Sequence, residues 1–285
     1  MSLCSLNGET KLLGIFGDPV AHSLSPRMQN AAIEAAGLNA VYVPFHIAPT
    51  VLANAVEAIR TLGLLGVNVT VPHKEAVLPL LDEVESAAGL IGAVNTIVNV
   101  DGRLVGHNTD ASGFLKALQG ELSFKPRDRN TVLLGAGGAA RAAVVALARE
   151  GAGQIVVSNR SVDKAKSLKE EFSKSFPDVE MVAVPLRTEK LAPYLATADL
   201  LVNTTTVGLH GENFELPLLE QLPSSACFYD MVYASGLTPL QQSARKHGVR
   251  FADGRGMLAG QGAEAFSLWF GVEPPFETMR SVIAE

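Results

Sequence analysis

Apolar and polar positions along the chain alternate between short strand-like runs and longer helix-like segments. This alternation is typical of α/β proteins. In the first part of the chain it predicts strands at Leu12–Phe16, Ala40–Phe45 and Gly66–Val71, and helices at Pro26–Ala36, Val51–Leu62 and His73–Leu81.

A second series begins after the charged, turn-rich stretch Phe124–Asn130. The predicted strands are Thr131–Leu134, Gln154–Ser158, Met181–Pro185, Leu200–Asn203 and Cys227–Met231, and the predicted helices are Ala139–Glu150 and Val162–Phe176. A last helix, Met257–Phe270, follows the glycine-rich Asp253–Gly256 and is placed to return to the first domain. We therefore expect one domain at 1–110, completed by 254–285, and a second domain at 111–253.

Composition narrows the possible classes of protein. Of 285 residues, 47% are hydrophobic and 18% charged, which argues against disorder, and the net charge of −6 argues against nucleic acid or an anionic membrane as partner. No apolar run reaches the length of about 18 residues expected of a membrane span, and Met1–Thr10 lacks the apolar core of a signal peptide. Cys4 and Cys227 form neither a disulfide framework nor a metal-ligand pattern, so we expect a cytoplasmic protein without a metal site.

The segment from Val132 to Ala140 reads as an apolar strand, a glycine turn and the start of a helix. It matches G-x-G-x-x-G/A, in which Gly135 permits the tight turn and Gly137 lets the backbone approach a pyrophosphate. N–H groups at the new helix start are then available to the phosphates. The motif predicts dinucleotide binding, with an ordinary tight turn as the alternative.

The next strand ends in Ser158-Asn159-Arg160-Ser161, and Lys164 follows one helical turn later. An acidic residue at such a strand tip would accept hydrogen bonds from the ribose 2′-OH of NAD. Here the tip carries Arg160 instead, whose charge suits a 2′-phosphate. The sequence therefore favours NADP over NAD.

Ser23 and Ser25 precede Pro26, which biases Ser25 towards an extended conformation. In extended chain the two hydroxyls point the same way and can hold a carboxylate. The alternative for Ser25 is an N-cap with Pro26 in the first helical position, which does not explain Ser23.

Lys74 and Asp110 are the candidates for chemistry. Lys74 falls in the first turn of the predicted His73–Leu81 helix, where the helix dipole disfavours a cation. A residue placed against local electrostatics is a functional candidate. Asp110 precedes a helix-like stretch at Ala111–Gln119 and could equally be an ordinary N-cap.

Taken in order, these segments resemble the shikimate dehydrogenase family. G-D-P-V-A-H-S-L-S-P, N-V-T-V-P-H-K, G-A-V-N-T and N-T-D precede G-A-G-G-A, and Asn159–Ser161, Tyr229–Tyr233 and Asp253–Gln261 match further on. The resemblance runs from about Gly14 to Trp269.

The resemblance implies a two-domain enzyme that reduces 3-dehydroshikimate to shikimate with NADPH, in a cleft between a mixed-sheet N-terminal substrate domain and a Rossmann domain. The family's substrate-carboxylate site falls on Ser23, Ser25, Thr70 and Tyr233, and its ring-hydroxyl site on Lys74, Asn95, Asp110 and Gln261. Its NADP contacts fall on Gly135, Ala136, Gly137, Gly138, Ala139, Asn159, Arg160, Ser161, Lys164, Met231 and Gly254.

The reaction agrees with these residue types, because a carbonyl oxygen that becomes an alkoxide needs a nearby proton donor. A lysine ammonium at Lys74 can supply it, and Asp110 would orient Lys74 and favour its charged form. We therefore expect shikimate oxidation to quicken as pH rises above neutral.

Several alternatives stay open. A histidine acid or base at His22, His73 or His107 is a rival to Lys74. A quinate/shikimate dehydrogenase that uses NAD or both cofactors, and a non-catalytic protein that senses shikimate and NADP, are the rival functions. Arg255 lies inside the D-G-x-G-M loop and is expected to face water, and the protein is expected to be a monomer or a homodimer.

Overall fold

The protein is described by a computed structural model that covers residues 6–234 and 236–284. Cys4, which entered the cysteine argument, and the first residues of the Met1–Thr10 segment lie outside the described residues. The chain divides into two compact units, one formed by Met1–Gly113 and Leu258–Glu285 and the other by Phe114–Met257. The boundaries predicted from sequence, after residues 110 and 253, lie near this division.

The first unit is built on a six-stranded mixed sheet in the order β2-β1-β3-β5-β6-β4. Strands β2, β1 and β3 run parallel, β5 is antiparallel to β3 and β6, and β4 is parallel to β6. The strands are β1 (Lys11–Gly17), β2 (Ala40–His46), β3 (Gly66–Val69), β4 (Glu83–Val84), β5 (Thr96–Val100) and β6 (Arg103–His107). Its helices are α1 (Ser25–Ala35), α2 (Leu52–Thr61) and α3 (Ser86–Ile91), with short 3-10 helices at Pro49–Val51 and Leu78–Leu80.

The second unit is built on a six-stranded sheet, parallel throughout, in the order β12-β11-β10-β7-β8-β9. The strands are β7 (Asn130–Leu134), β8 (Gln154–Asn159), β9 (Glu180–Pro185), β10 (Leu200–Asn203), β11 (Cys227–Asp230) and β12 (Arg250–Ala252). Its helices are α5 (Gly138–Arg149), α6 (Val162–Ser175), α7 (Thr188–Leu195) and α8 (Pro239–Lys246), with a 3-10 helix at Leu219–Gln221. This is the Rossmann strand order. The first three strands, β7 to β9, are added on one side of the sheet, and β10 to β12 are then added on the other side of β7.

Two further helices cross the division between the units: α4 (Asp110–Leu122) and α9 (Arg255–Phe270). The chain ends with α10 (Phe276–Ala284), which belongs to the first unit. In that unit the indole of Trp269 on α9 donates to the carbonyl of Ile97 at 3.0 Å. This bond fastens the end of α9 to β5.

Each unit has its own apolar core, as its alternating sequence pattern requires. In the first, Val56 and Ile59 of α2 are buried in one cluster with Val67 of β3. In the second, α5 buries eight residues, mostly alanine and valine, whose small side chains permit a helix to lie close to the sheet.

Most of the predicted elements are confirmed to within a few residues. The sequence reading did not predict β4, β5, β6, β12, α3, α7, α8 or α10. One predicted helix, His73–Leu81, is wrong, and that segment bears directly on the site.

Candidate active site

The first group of polar side chains surrounds an ion pair in the first unit. The Nζ atom of Lys74 lies 2.5 Å from Oδ2 of Asp110, and the two side chains are only 15% and 6% exposed. The carbonyl of Lys74 accepts a hydrogen bond from the N–H of Val94 at 2.8 Å, which fastens the lysine to the segment before β5. Dissolved salt screens the attraction between two largely buried charges less than the attraction between two surface charges. The attraction to Asp110 therefore holds the Lys74 ammonium in this direction.

Asn95 extends this group. Its Nδ2 donates to Oδ1 of Asp110 at 2.9 Å and lies 3.4 Å from Oε1 of Gln261, while its Oδ1 accepts from the N–H of Thr109 at 2.8 Å. The structure thus brings Lys74, Asn95, Asp110 and Gln261 into one connected cluster. These four are the residues on which the family's ring-hydroxyl site falls.

Asp110 is the first residue of α4, which places it inside the helix and not at the position before it. The N–H of Asp110 donates to Oδ1 of Asn108 at 3.0 Å. Both carboxylate oxygens are engaged by Lys74 and Asn95. The structure therefore favours a site role over the ordinary N-cap that the sequence left open.

The segment after β3 forms turns where a helix was predicted, so the dipole argument for Lys74 does not apply. Residues 73–77 form one turn, closed by the bond from the N–H of Val77 to the carbonyl of His73 at 3.0 Å, which does not continue as an α-helix, and Leu78–Leu80 forms a short 3-10 helix. The reason is Pro79, which has no N–H and whose ring would clash with the carbonyl four residues earlier in an α-helix. Turn hydrogen bonds, among them the one from the N–H of His73 to the carbonyl of Thr70, set the position of Lys74 instead.

Ser23 and Ser25 do not lie in extended chain, so that prediction is wrong. The N–H of Ser23 donates to the carbonyl of Val20 at 3.1 Å, and Oγ of Ser23 accepts from the N–H of Ser25 at 3.2 Å. Local hydrogen bonding of this kind competes with extended structure. Ser25 is the first residue of α1 and Leu24 occupies the N-cap, so the N-cap alternative for Ser25 is also wrong.

Thr70 lies close to the loop that leads to these serines. Its N–H donates to the carbonyl of Phe16 at 2.9 Å, and the N–H of Asp18 donates to the carbonyl of Val71 at 3.0 Å. A Cβ on Gly17 would lie only 2.5 Å from Cγ2 of Thr70. The two loops can run side by side because position 17 has no side chain.

The histidines differ from Lys74 in their surroundings. His73 is buried, and its Nε2 lies 2.6 Å from the carbonyl of Ile47. Burial lowers the pKa of His107, partly offset by the nearby carboxylates Glu85, Glu264 and Glu83. His22 is exposed. A lysine paired with a buried carboxylate is the better candidate for moving a proton to an oxygen.

In the second unit, the glycine turn joins β7 to α5 as the motif predicts. Gly135 has a φ of +115°, which favours glycine, and a Cβ there would lie 2.5 Å from Oγ1 of Thr204. Gly137 is the N-cap of α5, and a Cβ built on it would have no neighbour within 4 Å. Open space beside a bare backbone at a helix start fits a pyrophosphate, and Gly138 and Ala139 carry the first N–H groups of the helix.

The tip of β8 carries two cations without a carboxylate partner. Arg160 and Lys164 are exposed, and within residues 6–234 and 236–284 neither forms an ion pair. Lys166 differs, because its Nζ lies 3.6 Å from Asp163. Nδ2 of Asn159 donates to the carbonyl of Ser161 at 2.9 Å, which shapes the turn between the two cations. The residues present thus fit the 2′-phosphate of NADP.

Met231, Tyr233 and Gly254 come together at the ends of β11 and β12. A Cβ on Gly254 would overlap the carbonyl oxygen of Met231 and lie 3.2 Å from Cδ1 of Tyr233. Only glycine therefore lets this backbone pass Met231 so closely. The three positions belong to the second unit, whereas Ser23 and Thr70 belong to the first.

Arg255 does not simply face water, so that expectation is wrong. Its Nη1 lies 2.6 Å from Oδ2 of Asp253, and its Nη2 donates to the carbonyl of Ala234 at 2.7 Å. It ties the start of α9 to the segment after Tyr233. Helix α9 begins at Arg255, two residues before the predicted start, so Gly256 lies within the helix.

Sequence reasoning missed Thr109 as part of the site. Thr109 is buried, and its Oγ1 accepts from Nδ2 of Asn95 at 3.0 Å. A threonine before a candidate carboxylate carries no signal of its own. Its role depends on a residue 14 positions away, which only the fold brings near.

Neither a metal-binding cluster nor a membrane-spanning helix occurs among the described residues. Residues 6–234 and 236–284 contain no cluster of three or more His, Cys, Asp or Glu side chains placed to hold a metal ion. Within the same ranges, no helix combines the length and the apolar character that crossing a bilayer requires.

Comparison with known families gives three matches along the chain. Residues 15–97 match the shikimate dehydrogenase substrate binding domain, residues 119–210 match the shikimate / quinate 5-dehydrogenase family, and residues 254–283 match the shikimate 5′-dehydrogenase C-terminal domain. Their order follows the order of the motifs.

Full-length relatives agree with these matches. The shikimate dehydrogenase (NADP(+)) of Geobacter metallireducens is 49% identical over 275 residues, which is 96% of both chains. The shikimate 5-dehydrogenase of Thermus thermophilus, solved in complex with NADP(H) and shikimate, is 38% identical with a TM-score of 0.85, covering 96% of this chain and 99% of that one. A quinate dehydrogenase of Corynebacterium glutamicum, solved with NAD, is 31% identical with a TM-score of 0.85, covering 96% and 99%. Identity at this level over nearly the whole length, together with the connected Lys74–Asp110 cluster and the Rossmann unit, shows that the chain belongs to the shikimate dehydrogenase family.

Proposed function

We propose that this protein catalyses the reversible reduction of 3-dehydroshikimate to shikimate with NADP, a step in the biosynthesis of aromatic amino acids. The observation that carries this function is the largely buried Lys74–Asp110 pair, at 2.5 Å, in a chain whose second unit fits NADP. The protein is an oxidoreductase that acts on a CH–OH group. Its relationship to curated NADP-dependent shikimate dehydrogenases supports the same activity.

Lys74 is the residue to which we assign the proton. A protonated amine has three N–H donors, and Asp110 is the one described partner of Nζ, which leaves donors for a substrate oxygen. In the reduction Lys74 gives a proton to the oxygen of the carbonyl that is being reduced, and in the oxidation it takes that proton back. Asp110 holds the ammonium in place and stabilises its charge.

The remaining assignments concern binding. Asn95 and Gln261, together with Lys74 and Asp110, are proposed to hold the ring hydroxyl groups, because their amide and charged groups lie in one cluster. The substrate carboxylate is proposed to bind Ser23, Ser25, Thr70 and Tyr233. For Ser23 the hydroxyl hydrogen stays available, since its oxygen acts as an acceptor in the bond from Ser25.

NADP supplies or accepts the hydride when it is bound. The backbone from Gly135 to Ala139 is proposed to hold the pyrophosphate, supported by the open space beside Gly137. Asn159, Arg160, Ser161 and Lys164 are proposed to bind the adenosine and its 2′-phosphate, supported by the two cations without a carboxylate partner. Met231 and Gly254 complete the proposed cofactor set.

The domain division, the cellular location and the oligomeric state are also proposals. A domain at 1–110 completed by 254–285 and another at 111–253 are proposed as the substrate and NADP domains. A cytoplasmic location is supported by the small number of cysteines and by the buried, free Cys227. We propose a monomer or a homodimer.

The second candidate is a dehydrogenase that also oxidises quinate or uses NAD. It is favoured by the 31% identity and TM-score of 0.85 to the quinate dehydrogenase solved with NAD. The exposed Arg160 argues against strict use of NAD, because an arginine suits a 2′-phosphate. A non-catalytic sensor is disfavoured because a sensor has no need of the Lys74–Asp110 pair.

The test is an absorbance assay of nicotinamide reduction with four mixtures: shikimate or quinate, each with NADP+ or NAD+. We expect turnover with shikimate and NADP+ to exceed that of the other three mixtures. Greater turnover with quinate would favour the second candidate, and no turnover with either acid would exclude the enzyme.

A further inference from the structure

The carboxylate of Asp230 is fully buried, and the proposed chemistry does not use it. Asp230 ends β11 and has no exposed surface. Its Oδ1 accepts from Nδ2 of Asn203 at 2.9 Å and from the N–H of Val232 at 3.2 Å, and its Oδ2 accepts from Oγ1 of Thr238 at 2.7 Å and Nε2 of Gln241 at 3.0 Å.

All four donors are neutral. Within residues 6–234 and 236–284, no lysine, arginine or histidine forms an ion pair with Asp230. Burial raises the pKa of Asp230, and the hydrogen bonds from Thr238, Asn203, Val232 and Gln241 offset part of that effect. A buried carboxylate costs free energy of solvation that an apolar side chain would not. Its benefit must come from the groups that it holds.

Asp230 holds together two segments that follow adjacent strands. Asn203 ends β10 and is the register partner of Asp230. Oδ1 of Asn203 accepts from the N–H and the hydroxyl of Thr205, and its Nδ2 also donates to the carbonyl of Val207. Asp230 thereby fixes Asn203, and Asn203 fixes the segment 204–207.

The same carboxylate fixes the segment after β11. Val232 donates its N–H to Asp230, and the N–H of Met231 donates to the carbonyl of Asn203 at 3.0 Å. Thr238 caps α8 in a capping box with Gln241 while it also donates to Asp230. This one side chain therefore anchors both Val232, just after β11, and Thr238, at the start of α8.

The strand order shows which half of the cofactor lies beside these segments. The glycine turn follows β7, and Arg160 and Lys164 follow β8 on one side of it. β10 and β11 lie on the other side of β7. Thr204 is adjacent to the glycine turn, because its hydroxyl donates to the carbonyl of Leu134 at 2.7 Å. With the pyrophosphate at β7 and the 2′-phosphate at β8, as proposed, the nicotinamide half would extend towards β10 and β11.

We propose that Asp230 is a positioning residue that holds segments 204–207 and 231–233 in the arrangement that receives the nicotinamide half of NADP. This proposal rests on the proposed function. It differs from that function's assignments in that Asp230 touches neither substrate nor cofactor. It acts through the backbone of Met231 and through Asn203.

The chain offers a matched control at the opposite ends of the same strands. Asp199 precedes β10, and its carboxylate accepts from the N–H of Asn130 at 2.9 Å and pairs with Arg129 at 3.0 Å. It thus ties strand starts together as Asp230 ties strand ends. In parallel sheets of this type ligands bind at the carboxyl ends. Substitution of Asp199 therefore affects structure without affecting the cofactor.

The experiment compares Asp230→Asn with Asp199→Asn. The new amide group in Asp230→Asn is a donor that faces other donors. We expect kcat/KM for NADP+ with shikimate to fall by about tenfold to a hundredfold, because small misplacement of reacting groups costs factors of this size. Affinity for adenosine 2′,5′-bisphosphate, which lacks the nicotinamide half, is expected to stay as in the wild type. Asp199→Asn should keep both values.

The outcomes separate this proposal from the proposed function. Wild-type turnover of shikimate with NADP+ tests the function alone. Unchanged kcat/KM in folded Asp230→Asn would overturn the positioning role, as would an equal loss of affinity for the bisphosphate. An equal kinetic loss in Asp199→Asn would show a general structural effect and would also overturn it.

A second pair of variants covers the case in which Asp230→Asn does not fold. Thr238→Val removes one donor to Asp230, and Thr238→Ser keeps the hydroxyl. We expect Thr238→Val to lower kcat/KM for NADP+ without changing bisphosphate affinity, and Thr238→Ser to restore the wild-type value. Equal kinetics for the two variants, or bisphosphate affinity lost in step with kcat/KM, would contradict the proposal.

Discussion

The two units present their candidate ligand groups in different ways. In the first unit the site consists of side chains, with the Lys74 ammonium held by Asp110 and the amides of Asn95 and Gln261 beside it. In the second unit the pyrophosphate is matched by bare backbone at Gly137 and by the start of α5. Loss of a side chain should therefore harm the first site most, whereas addition of a side chain should harm the second.

The largest expected effect is on turnover in Lys74→Ala. Without the ammonium, no group in the cluster is placed to exchange a proton with the substrate oxygen, so we expect kcat to fall by roughly 10² or more. Lys11→Ala removes an exposed lysine of β1 and is the control. Steady-state rates with shikimate and NADP+ measure the effect. Near-wild-type turnover in Lys74→Ala would show that another residue exchanges the proton with the substrate.

The counterpart in the second unit is Gly137→Ala. The φ of −100° suits any residue and no atom of the protein obstructs the new methyl group, so thermal stability should change little. The methyl group would occupy space proposed for the pyrophosphate, so the Kd for NADP+ should rise by about tenfold or more, equivalent to at least about 1.4 kcal/mol.

A matched glycine makes that test specific. Gly120 lies in α4, and a Cβ there would also meet no atom within 4 Å. Gly120→Ala should raise stability by about 0.5–1 kcal/mol, as expected for glycine in a helix, with NADP+ affinity unchanged. Unchanged NADP+ affinity in Gly137→Ala would show that the pyrophosphate does not bind beside Gly137.

At the tip of β8 the second unit presents charged side chains, Arg160 and Lys164, to the proposed 2′-phosphate. Arg160→Ala should raise the Kd for NADP+ by about tenfold, the size of one hydrogen bond to a charged group, and should leave the Kd for NAD+ unchanged. Lys164→Ala should act in the same direction, and less, because a lysine lacks the fork geometry of arginine. Lys166→Ala is the control, since Lys166 is paired with Asp163. Equal losses of affinity for NAD+ and NADP+ would show that these residues do not bind the 2′-phosphate.

The smallest effects concern stability against pH and have opposite signs in the two units. The hydroxyl of Ser86 and the N–H groups of Ala87 and Ala88 lower the pKa of Glu85, which caps α3, although burial opposes them. Its contribution is present above its unfolded pKa and is lost as pH falls through the folded pKa. The stability advantage of the wild type over Glu85→Gln should therefore shrink on acidification.

Asp230 should behave in the opposite way, because burial raises its pKa. The folded state then binds the proton more tightly, so the contribution of Asp230 to stability grows as pH falls through the folded pKa. Denaturation from neutral pH to about pH 4, near the ordinary carboxyl range, compares the wild type with Asp230→Asn. A loss of stability of the wild type relative to Asp230→Asn on acidification would contradict the raised pKa of Asp230.

Local sequence patterns predict the site of the second unit more fully than the site of the first. The apolar strand Thr131–Leu134, the turn at Gly135 and the helix that follows are encoded within a few consecutive residues, and all are confirmed. The first unit depends on residues far apart in the chain. Asn95 and Gln261 are 166 positions apart, and no local signal brings them together.

Two errors arise instead from local geometry that the sequence pattern did not reveal. Ser23 and Ser25 fold into a turn because the Ser23 hydroxyl accepts a bond from the backbone of Ser25, which a general preference before proline does not anticipate. The segment containing Lys74 reads as helical by composition, but Pro79 prevents the helix. Lys74 became a candidate through a helix-dipole argument, which does not apply in the structure, and through the N-V-T-V-P-H-K motif, and its pairing with Asp110 is seen only in the fold.

The most direct test of the central claim is titration calorimetry of shikimate into Lys74→Ala, with and without NADP+. If Lys74 moves a proton and the rest of the cluster binds the ring, the Kd for shikimate stays close to the wild-type value while turnover is lost. A Kd that rises by the same factor by which turnover falls would contradict the account and show that Lys74 acts through binding alone, without a role in proton transfer.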